Sequence, residues 1–351
     1  MRPSVRSFAC LLALALLVGS GLGPAGAGPV HGRRPEFARP RVRIPLEARL
    51  RPGDESWSPA VGAAADRSSV TNEGGFLGLA GNGEISPSDT TGAGGITHVV
   101  TAVNVSYAVW PNSTVSDPPA PVSPLASGTL ESLFPGLPGG SFVFDPKVVY
   151  DHYTGRFVIA FLAGHGRPFT TGPESSKLLM VTIPDATAFD QSTWCLRQLN
   201  ADQIRRNGRQ FGDYPGLGFD RNYIYVTSNQ FDFGRSEQFG YTQVLALGKT
   251  QLYSCGGALN INAFGGKETA DPSGGPSFTI QPAVTESEAG LGETEYMASF
   301  QEGTCGFLCG KRLTIWRVKK KGGRLDLASD EVNVAPGRMA PLGTQGDGSL
   351  T

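Results

Sequence analysis

The stretch DPKVVYDHYTGRFVIAFL, residues 145–162, decides the fold that we expect for this chain. After Pro146 comes a short apolar strand, which an acidic residue and a turn then end. A longer strand rich in apolar and β-branched residues follows the turn, and its length fits a typical β-strand. Similar units occur at residues 213–228 and 281–300. The chain therefore contains an internal repeat.

The spacing of this repeat favours a β-propeller. The prolines at positions 146, 215 and 282 lie 69 and 67 residues apart. A further pair of strands follows the unit, such as Lys177–Ile183 and Trp194–Leu199. Four strands in about 68 residues are typical of propeller blades, whereas the strands of a sandwich do not repeat as a group. A less regular unit begins at Pro87 and leads into the strand from His98. We predict an all-β fold, a β-propeller-like repeat of four-stranded blades.

The remaining strand-like segments are short, alternating and separated by turns. They are His98–Val109, Tyr223–Ser228, Thr242–Leu247, Glu295–Phe300 and Arg312–Val318. No window between residues 70 and 335 has the period of a convincing amphipathic helix. The 48 glycines and 26 prolines fit many strands joined by tight turns. We place the propeller-like domain at residues 71–335 and a flexible tail at 336–351.

The N-terminus carries the three parts of a secretory signal. Arg2 and Arg6 are positive, Phe8–Val18 is apolar, and Ala25-Gly26-Ala27 offers the small residues that signal peptidase reads. The apolar run is too short to span a bilayer, and no later segment reaches about 18 apolar residues. We predict a signal peptide at residues 1–27, no transmembrane segment in the mature chain, and a secreted, periplasmic or cell-surface location.

Residues 28–70 are predicted to form a basic, Pro- and Arg-rich linker without regular structure. Seven arginines face two glutamates between positions 33 and 51, and prolines at 35, 40, 45 and 52 prevent a helix. Such an arm could bind an anionic cell-wall polymer, although a solvated linker is the favoured interpretation. The formal net charge of the whole chain is -1, so nucleic acid is not an expected partner.

Export changes the meaning of the cysteines, because disulfides persist in oxidising compartments. Cys10 leaves with the signal peptide, and the mature chain keeps Cys195, Cys255, Cys305 and Cys309. Four cysteines allow three connectivities. A bridge from Cys305 to Cys309 would close a hairpin loop, and Cys195 would then pair with Cys255 by elimination. The alternative is half of a zinc site, which would need further Cys or His at short spacing.

Several phrases occur in order over roughly residues 76–318. They are Phe76–Leu79, Pro87–Ala93, Asp145–Asp151, Thr193-Trp194, Asp213–Gly218, Thr227–Phe231 and Leu313–Arg317. Together they resemble a group of secreted, mostly bacterial proteins regarded as β-propellers and largely without assigned activity. The resemblance implies a propeller and supplies no catalytic residues. At its C-terminus the chain becomes Gly-, Ala- and Asp-rich where further blades are expected. We expect a fragment or a shortened member, which leaves closure of the ring open.

Asp145 and Asp213 are the candidate catalytic residues. Both stand at the start of the first strand of a unit, just before or two before a proline. Two carboxylates about 5–10 Å apart could hydrolyse a glycosidic bond. The alternative is that each Asp caps a turn by accepting backbone N–H groups. Repetition at equivalent positions favours the turn interpretation, because an active site needs asymmetry.

No cofactor or metal site is expected. His98, His152 and His165 are well separated, and no stretch has the alternating acids of a calcium loop. Gly248-Lys249-Thr250 mimics the end of a phosphate-binding loop, but position 243 is Gln instead of the leading glycine. We interpret this match as accidental.

An aromatic segment, Phe231 to Tyr241, is the candidate binding surface. It combines aromatic rings with charged and amide side chains in a loop between two strands. Such a loop could stack against a sugar or pack against a protein, with Phe231 and Tyr241 as the binding residues. The alternative is that the rings fill space between blades.

The leading hypothesis from the sequence is a non-enzymatic binding or scaffold module outside the cell. It rests on a regular repeat without an asymmetric catalytic group. Two alternatives stay open: a carbohydrate-active hydrolase or lyase that uses Asp145 and Asp213, and a carbohydrate-binding lectin. The sequence does not identify the partner, and an extracellular glycan or protein is the candidate.

Overall fold

The computed structural model of the chain describes residues 76–80, 88–112, 120–166, 174–206, 208–233, 238–285, 294–301 and 312–333. These residues belong to two compact units, the first ending at Leu199 and the second beginning at Asn200. The predicted signal peptide, linker and tail lie outside the described residues, and so do Cys305 and Cys309.

The first unit contains two four-stranded sheets. The strands are β1 (Phe76–Leu77), β2 (Thr91–Gly94), β3 (His98–Val103), β4 (Ser106–Pro111), β5 (Ala120–Pro121), β6 (Ala126–Thr129), β7 (Phe142–Asp151), β8 (Arg156–His165), β9 (Ser175–Pro184) and β10 (Cys195–Asn200). One sheet has the order β2-β3-β4-β6 and the other β7-β8-β9-β10. The short strands β1 and β5 form a separate parallel pair.

The second unit contains two more four-stranded sheets. The strands are β11 (Gln210–Phe219), β12 (Tyr223–Asp232), β13 (Phe239–Gly248), β14 (Ile261–Phe264), β15 (Gln281–Pro282), β16 (Thr294–Gln301), β17 (Arg312–Lys321) and β18 (Arg324–Asn333). Each sheet takes four strands in chain order, β11 to β14 and β15 to β18. The prediction of an all-β fold built from four-stranded, propeller-like blades is confirmed.

Helix is scarce in the described part of the chain. Three 3-10 helices cover Glu131–Leu133, Asp185–Thr187 and Gln191–Thr193, and one α-helix, α1, covers Lys249–Leu252. None of the helices described is long and apolar enough to cross a membrane.

The inner strands of the sheets supply most of the core of each unit, because both faces of these strands are covered. In β8 all residues from Phe157 to Gly164 are buried, and in β13 all residues from Tyr241 to Gly248. The outer strand β10 instead alternates between covered and exposed side chains, since only one of its faces packs against the unit.

Each sheet has a left-handed residue at the same place. Asp89, Asp145, Tyr214 and Thr279 have φ angles of 43°, 52°, 47° and 55°. In each sheet, the fifth residue of the second strand pairs with one residue of the first strand. The left-handed residue lies two positions before that paired residue. The repeat is therefore marked by a backbone conformation and not by a residue type.

This register corrects the alignment that the prolines suggested. Pro146 and Pro215 both follow the left-handed residue directly, but Pro282 lies three residues after Thr279. Asp213 precedes the left-handed residue of its sheet, so its structural counterpart is Phe144 and not Asp145. The register of both first strands shifts at this point, and such an irregularity cannot be read from the residues alone.

The cysteine prediction can be followed for one pair. Cys195 and Cys255 are both disulfide-bonded, and the predicted pairing of these two residues is confirmed. Cys195 is almost fully buried at the start of β10. Cys255 has a φ of 60°, in the left-handed region. The Cys305–Cys309 bridge stays a prediction.

Candidate functional site

Two acidic residues, Asp89 and Asp145, occupy the same left-handed position in the two sheets of the first unit. The first strands of these sheets, β2 and β7, contact each other. The backbone N–H of Val148 donates to Oγ1 of Thr91 at 3.1 Å. Thr91 lies two residues after Asp89, and Val148 lies three residues after Asp145. This hydrogen bond therefore holds the two strands next to each other close to both acids.

The surroundings of Asp89 raise the pKa of its carboxyl group. Burial raises the pKa of Asp89 above its ordinary value, and the ammonium group of Lys147 opposes this increase. Both Asp89 and Asp145 are half-buried, so neither is sealed from solvent. A carboxyl group with a raised pKa, on a strand that contacts the strand of a second carboxyl group, is an arrangement that acid–base chemistry can use.

The left-handed backbone at these positions has an energetic cost. For an ordinary L-residue it amounts to about 1–2 kcal/mol, and Asp tolerates it better than most because its short side chain can hydrogen-bond locally. Non-glycine residues held in such conformations cluster at functional sites. In the first unit the position holds an acid in both sheets, whereas in the second unit it holds Tyr214 and Thr279.

Asp89 was not among the residues predicted from the sequence. The available signal was its place in the phrase Pro87-Ser88-Asp89, which opens the less regular first unit of the repeat. The raised pKa and the contact between β2 and β7 depend on the fold and could not be seen in that phrase.

Asp213 lies in the second unit, at the register shift of β11. Its side chain is 7% exposed, whereas the adjacent Tyr214 is 45% exposed. Its strand partner Asn229 is fully buried and accepts, through Oδ1, the N–H of Thr279 at 2.9 Å and the hydroxyl of Thr242 at 2.8 Å. The acid thus stands on a rigid part of the sheet.

Two further acids, Asp151 and Asp220, fix turns. Oδ2 of Asp151 accepts the hydroxyl of Thr154 at 2.6 Å. Oδ1 of Asp220 accepts the N–H groups of Asn222 and Tyr223, both at 2.7 Å. Both acids are buried, and their hydrogen bonds hold the turn between the first two strands of a sheet.

Asp185 connects three segments of the first unit. Its Oδ2 accepts the N–H of Ile96 at 2.7 Å and of Thr97 at 3.1 Å, and the hydroxyl of Tyr150 at 3.3 Å. Its Oδ1 accepts the hydroxyl of Thr97 and the N–H of His98. Burial alone would raise the pKa of Asp185, but these hydrogen bonds outweigh it and lower the pKa below its ordinary value.

The two predicted binding aromatics have different positions. Phe231 is half-buried, and its ring lies 5.6 Å from that of Phe239 between centroids. Tyr241 is 1% exposed, donates its hydroxyl to Oδ1 of Asp202 at 2.7 Å, and carries the guanidinium group of Arg205 over its ring. Because Tyr241 is enclosed by the protein, we leave it out of the surface proposed below.

The charged groups offer no metal centre in the described ranges. No three or more His, Cys, Asp or Glu side chains there come together as metal ligands. Lys249, in the sequence that mimics a phosphate-binding loop, is 4% exposed at the start of α1. Its ammonium group lies 5.0 Å from the ring centroid of Phe219, where it is packed inside the protein.

Solved structures similar to this chain include two glycoside hydrolases. No family model matches the sequence, and no curated protein matches it. An endo-arabinanase of glycoside hydrolase family 43 from Bacillus licheniformis is 10% identical, with a TM-score of 0.31, over 75% of this chain and 96% of its own. A family 117 glycoside hydrolase from the marine bacterium Zobellia galactanivorans is 12% identical, with a TM-score of 0.38, over 75% of this chain and 74% of its own.

These findings contradict the leading hypothesis from the sequence, a non-enzymatic binding or scaffold module, since both matched structures are glycoside hydrolases. We do not retain that hypothesis. The likeness supplies neither a substrate nor catalytic residues for this chain.

Proposed function

We propose that this protein is a carbohydrate-active hydrolase that cleaves glycosidic bonds. The observation that carries the proposal is the pair Asp89 and Asp145, at the same left-handed position of two contacting first strands. Hydrolysis of a glycosidic bond needs two carboxyl groups, one protonated and one ionised. The raised pKa of Asp89 supports the protonated role for this residue in the proposal.

The chemistry follows from these two roles. Asp89 gives its proton to the glycosidic oxygen as the bond from that oxygen to the anomeric carbon breaks. Asp145 takes a proton from the water molecule that attacks the anomeric carbon. One water is consumed, and the two acids return to their starting states by exchanging protons with solvent. The ammonium group of Lys147 would stabilise Asp89 after it has lost its proton, because opposite charges attract.

We propose that the enzyme acts outside the cytoplasm on an extracellular glycan. The signal-like N-terminus supports export, and so does the disulfide bond of Cys195 and Cys255, because disulfides persist in oxidising compartments. A secreted, periplasmic or cell-surface location would bring the enzyme to polysaccharides.

The test is the release of reducing ends from a panel of soluble polysaccharides, including arabinan, xylan, galactan, agarose and glucan. Asp89→Asn and Asp145→Asn should each lower the rate about 100-fold or more, because a positioned acid or base contributes about 10²–10⁴-fold. Asn also tolerates the left-handed backbone, so both variants should keep the fold. Asp190→Asn is the matched control, since Asp190 is an exposed acid of the same unit.

Asp213→Asn distinguishes between Asp145 and Asp213, the two candidate catalytic carboxylates predicted from the sequence. If it alone abolishes release while Asp89→Asn and Asp145→Asn stay active, the acid pair is wrongly assigned. No release from any polysaccharide by the wild-type protein would refute the proposed hydrolase for these substrates. Loss of the alkaline limb of the pH profile in Asp89→Asn would support Asp89 as the acid.

A further inference from the structure

A cavity of about 360 Å³ lies in the second unit. It is lined by Phe239, Asp271, Ser273, Pro276, Ser277, Phe278, Ser299, Phe300 and Thr314. These residues come from the start of β13, from the segment between β14 and β15, and from β16 and β17. The candidate acids Asp89 and Asp145 belong to the first unit and are not among the lining residues named above.

One wall of the cavity is aromatic. The rings of Phe239 and Phe278 meet edge to face, with centroids 5.0 Å apart and an angle of 83° between their planes. Phe231 supports both, at 5.6 Å from Phe239 and 6.4 Å from Phe278. Phe300 is 37% exposed, so its ring can be reached from solvent. This wall offers rigid ring surfaces to an apolar face of a ligand.

The polar part of the cavity lining includes hydroxyl groups. Thr314 is 1% exposed, yet no group in the described part of the chain hydrogen-bonds its buried Oγ1. Ser299, its partner across the strand pair, accepts the indole N–H of Trp316 at 2.9 Å and can still donate its own proton. Buried polar groups in native proteins are nearly always hydrogen-bonded, so a Thr hydroxyl at a cavity wall without a partner in the described residues is open to a water molecule or a ligand atom.

The charge of the lining narrows the ligand class. Among the described residues of the lining, Asp271 is the one ionisable residue, and its Oδ1 already accepts the backbone N–H of Ser273 at 2.7 Å. A set of described lining residues without a cation does not favour a phosphate or a nucleic acid. Hydroxyl groups that both donate and accept, next to aromatic rings, instead suit a neutral polyol with apolar C–H faces.

The volume agrees with a single sugar ring. At about 30 Å³ for each water, the cavity of about 360 Å³ equals roughly twelve waters, which is about the number of non-hydrogen atoms in a hexose. The size also falls near the lower end of the range of about 300–1,000 Å³ that small-molecule sites occupy.

We propose that this cavity is a glycan subsite that holds one sugar residue, stacked on Phe300 and hydrogen-bonded by Thr314 and Ser299. The inference rests on the proposed function for the presence of a glycan, and it adds a second, non-catalytic contact with that glycan. A subsite of this kind would keep a polysaccharide bound to the enzyme.

The test is affinity electrophoresis of the full chain in gels that contain each polysaccharide of the panel. Phe300→Ala should weaken binding about tenfold, and Thr314→Val about three- to tenfold, because the stacking surface and one hydrogen bond are lost. Thr314→Ser keeps the hydroxyl and should restore most of the binding. Phe189→Ala is the matched control, because Phe189 is 54% exposed in the first unit. Circular dichroism and thermal unfolding check that each variant is folded.

The outcomes separate this inference from the proposed hydrolysis. Retardation that is lost in Phe300→Ala and Thr314→Val but kept in Asp145→Asn would support the subsite, even if no hydrolysis were found. Unchanged retardation in both cavity variants would overturn it, and so would a wild-type protein that no polysaccharide retards. Hydrolysis that needs Asp145 but not Phe300 or Thr314, on a polymer that the cavity variants bind normally, would leave the hydrolase standing and remove the subsite.

Discussion

Glu295 should make the second unit less stable as the pH rises. This residue of β16 is fully buried, and its two carboxyl oxygens accept the N–H of Ala283 and the hydroxyl of Thr285, each at 3.1 Å. Burial, together with the nearby carboxylate of Asp220, raises the pKa of Glu295 to about 9. The two hydrogen bonds and the ammonium group of Lys249 act in the opposite direction without cancelling the increase.

The sign and size follow from proton linkage. Between the ordinary pKa of 4.5 and the folded value of about 9, the folded state binds one proton more than the unfolded state. The free energy of unfolding must therefore fall as the pH rises through this window, by at most about 1.4 kcal/mol per pH unit. From pH 5 to pH 7 the loss amounts to about 2.5 kcal/mol. Glu295→Gln removes the ionisation and keeps a side chain of the same shape, so this loss should disappear.

The measurement is urea unfolding of the wild-type protein and of Glu295→Gln at pH 5, 6, 7 and 8. The difference between the two free energies of unfolding should change by about 2.5 kcal/mol between pH 5 and pH 7, in favour of the variant at the higher pH. Glu131→Gln, at an exposed position of the first unit, is the matched control. A difference that stays constant, or that changes in favour of the wild type, would mean that Glu295 is ionised and paired with Lys249, and would refute the reasoning.

Two further substitutions test the packing of the two units, both by urea unfolding. Asp185→Asn should lower the free energy of unfolding by about 2 kcal/mol at pH 7, because an amide N–H₂ group cannot accept the N–H groups that the carboxylate binds. The wild-type advantage over this variant should shrink as the pH falls below 3.8, where the lowered pKa of Asp185 is reached, and Asp190→Asn should change little. Gly218→Ala should destabilise by about 2 kcal/mol or more, because an added Cβ would collide with the carbonyl oxygen of Ala283. Gly94→Ala is its control, since a Cβ there meets open space, and an equal effect of both substitutions would contradict the predicted collision.

The strands could be predicted because their signals are local. The alternating, β-branched segments at His98, Arg156 and Tyr223 each begin a strand of the structure, and the four-strand grouping followed from their spacing. A fully apolar run such as residues 157–162 indicates a strand covered on both faces, which β8 is.

The sites could not be predicted as well, because they depend on register. Tyr241 stands in an aromatic segment beside Phe239, yet the register of β12 and β13 shifts between Gln230 and Phe231. Phe239 lines a cavity, whereas Tyr241 is enclosed against Asp202. One register shift changes which side chains face solvent, and no residue type in the segment indicates that the shift is there.

The difference between a repeated residue and a repeated backbone conformation changes what the repeat implies about catalysis. Equivalent aspartates in successive units would indicate structure, because a structural need is the same in every unit and an active site is not. In this fold the repeated feature is the left-handed backbone at Asp89, Asp145, Tyr214 and Thr279. The backbone does not need an acid, since a tyrosine and a threonine adopt it in the second unit. Two acids at that position in the first unit fit the tolerance of Asp for this backbone. They also place two carboxyl groups on contacting strands, which is what the proposed acid–base chemistry uses.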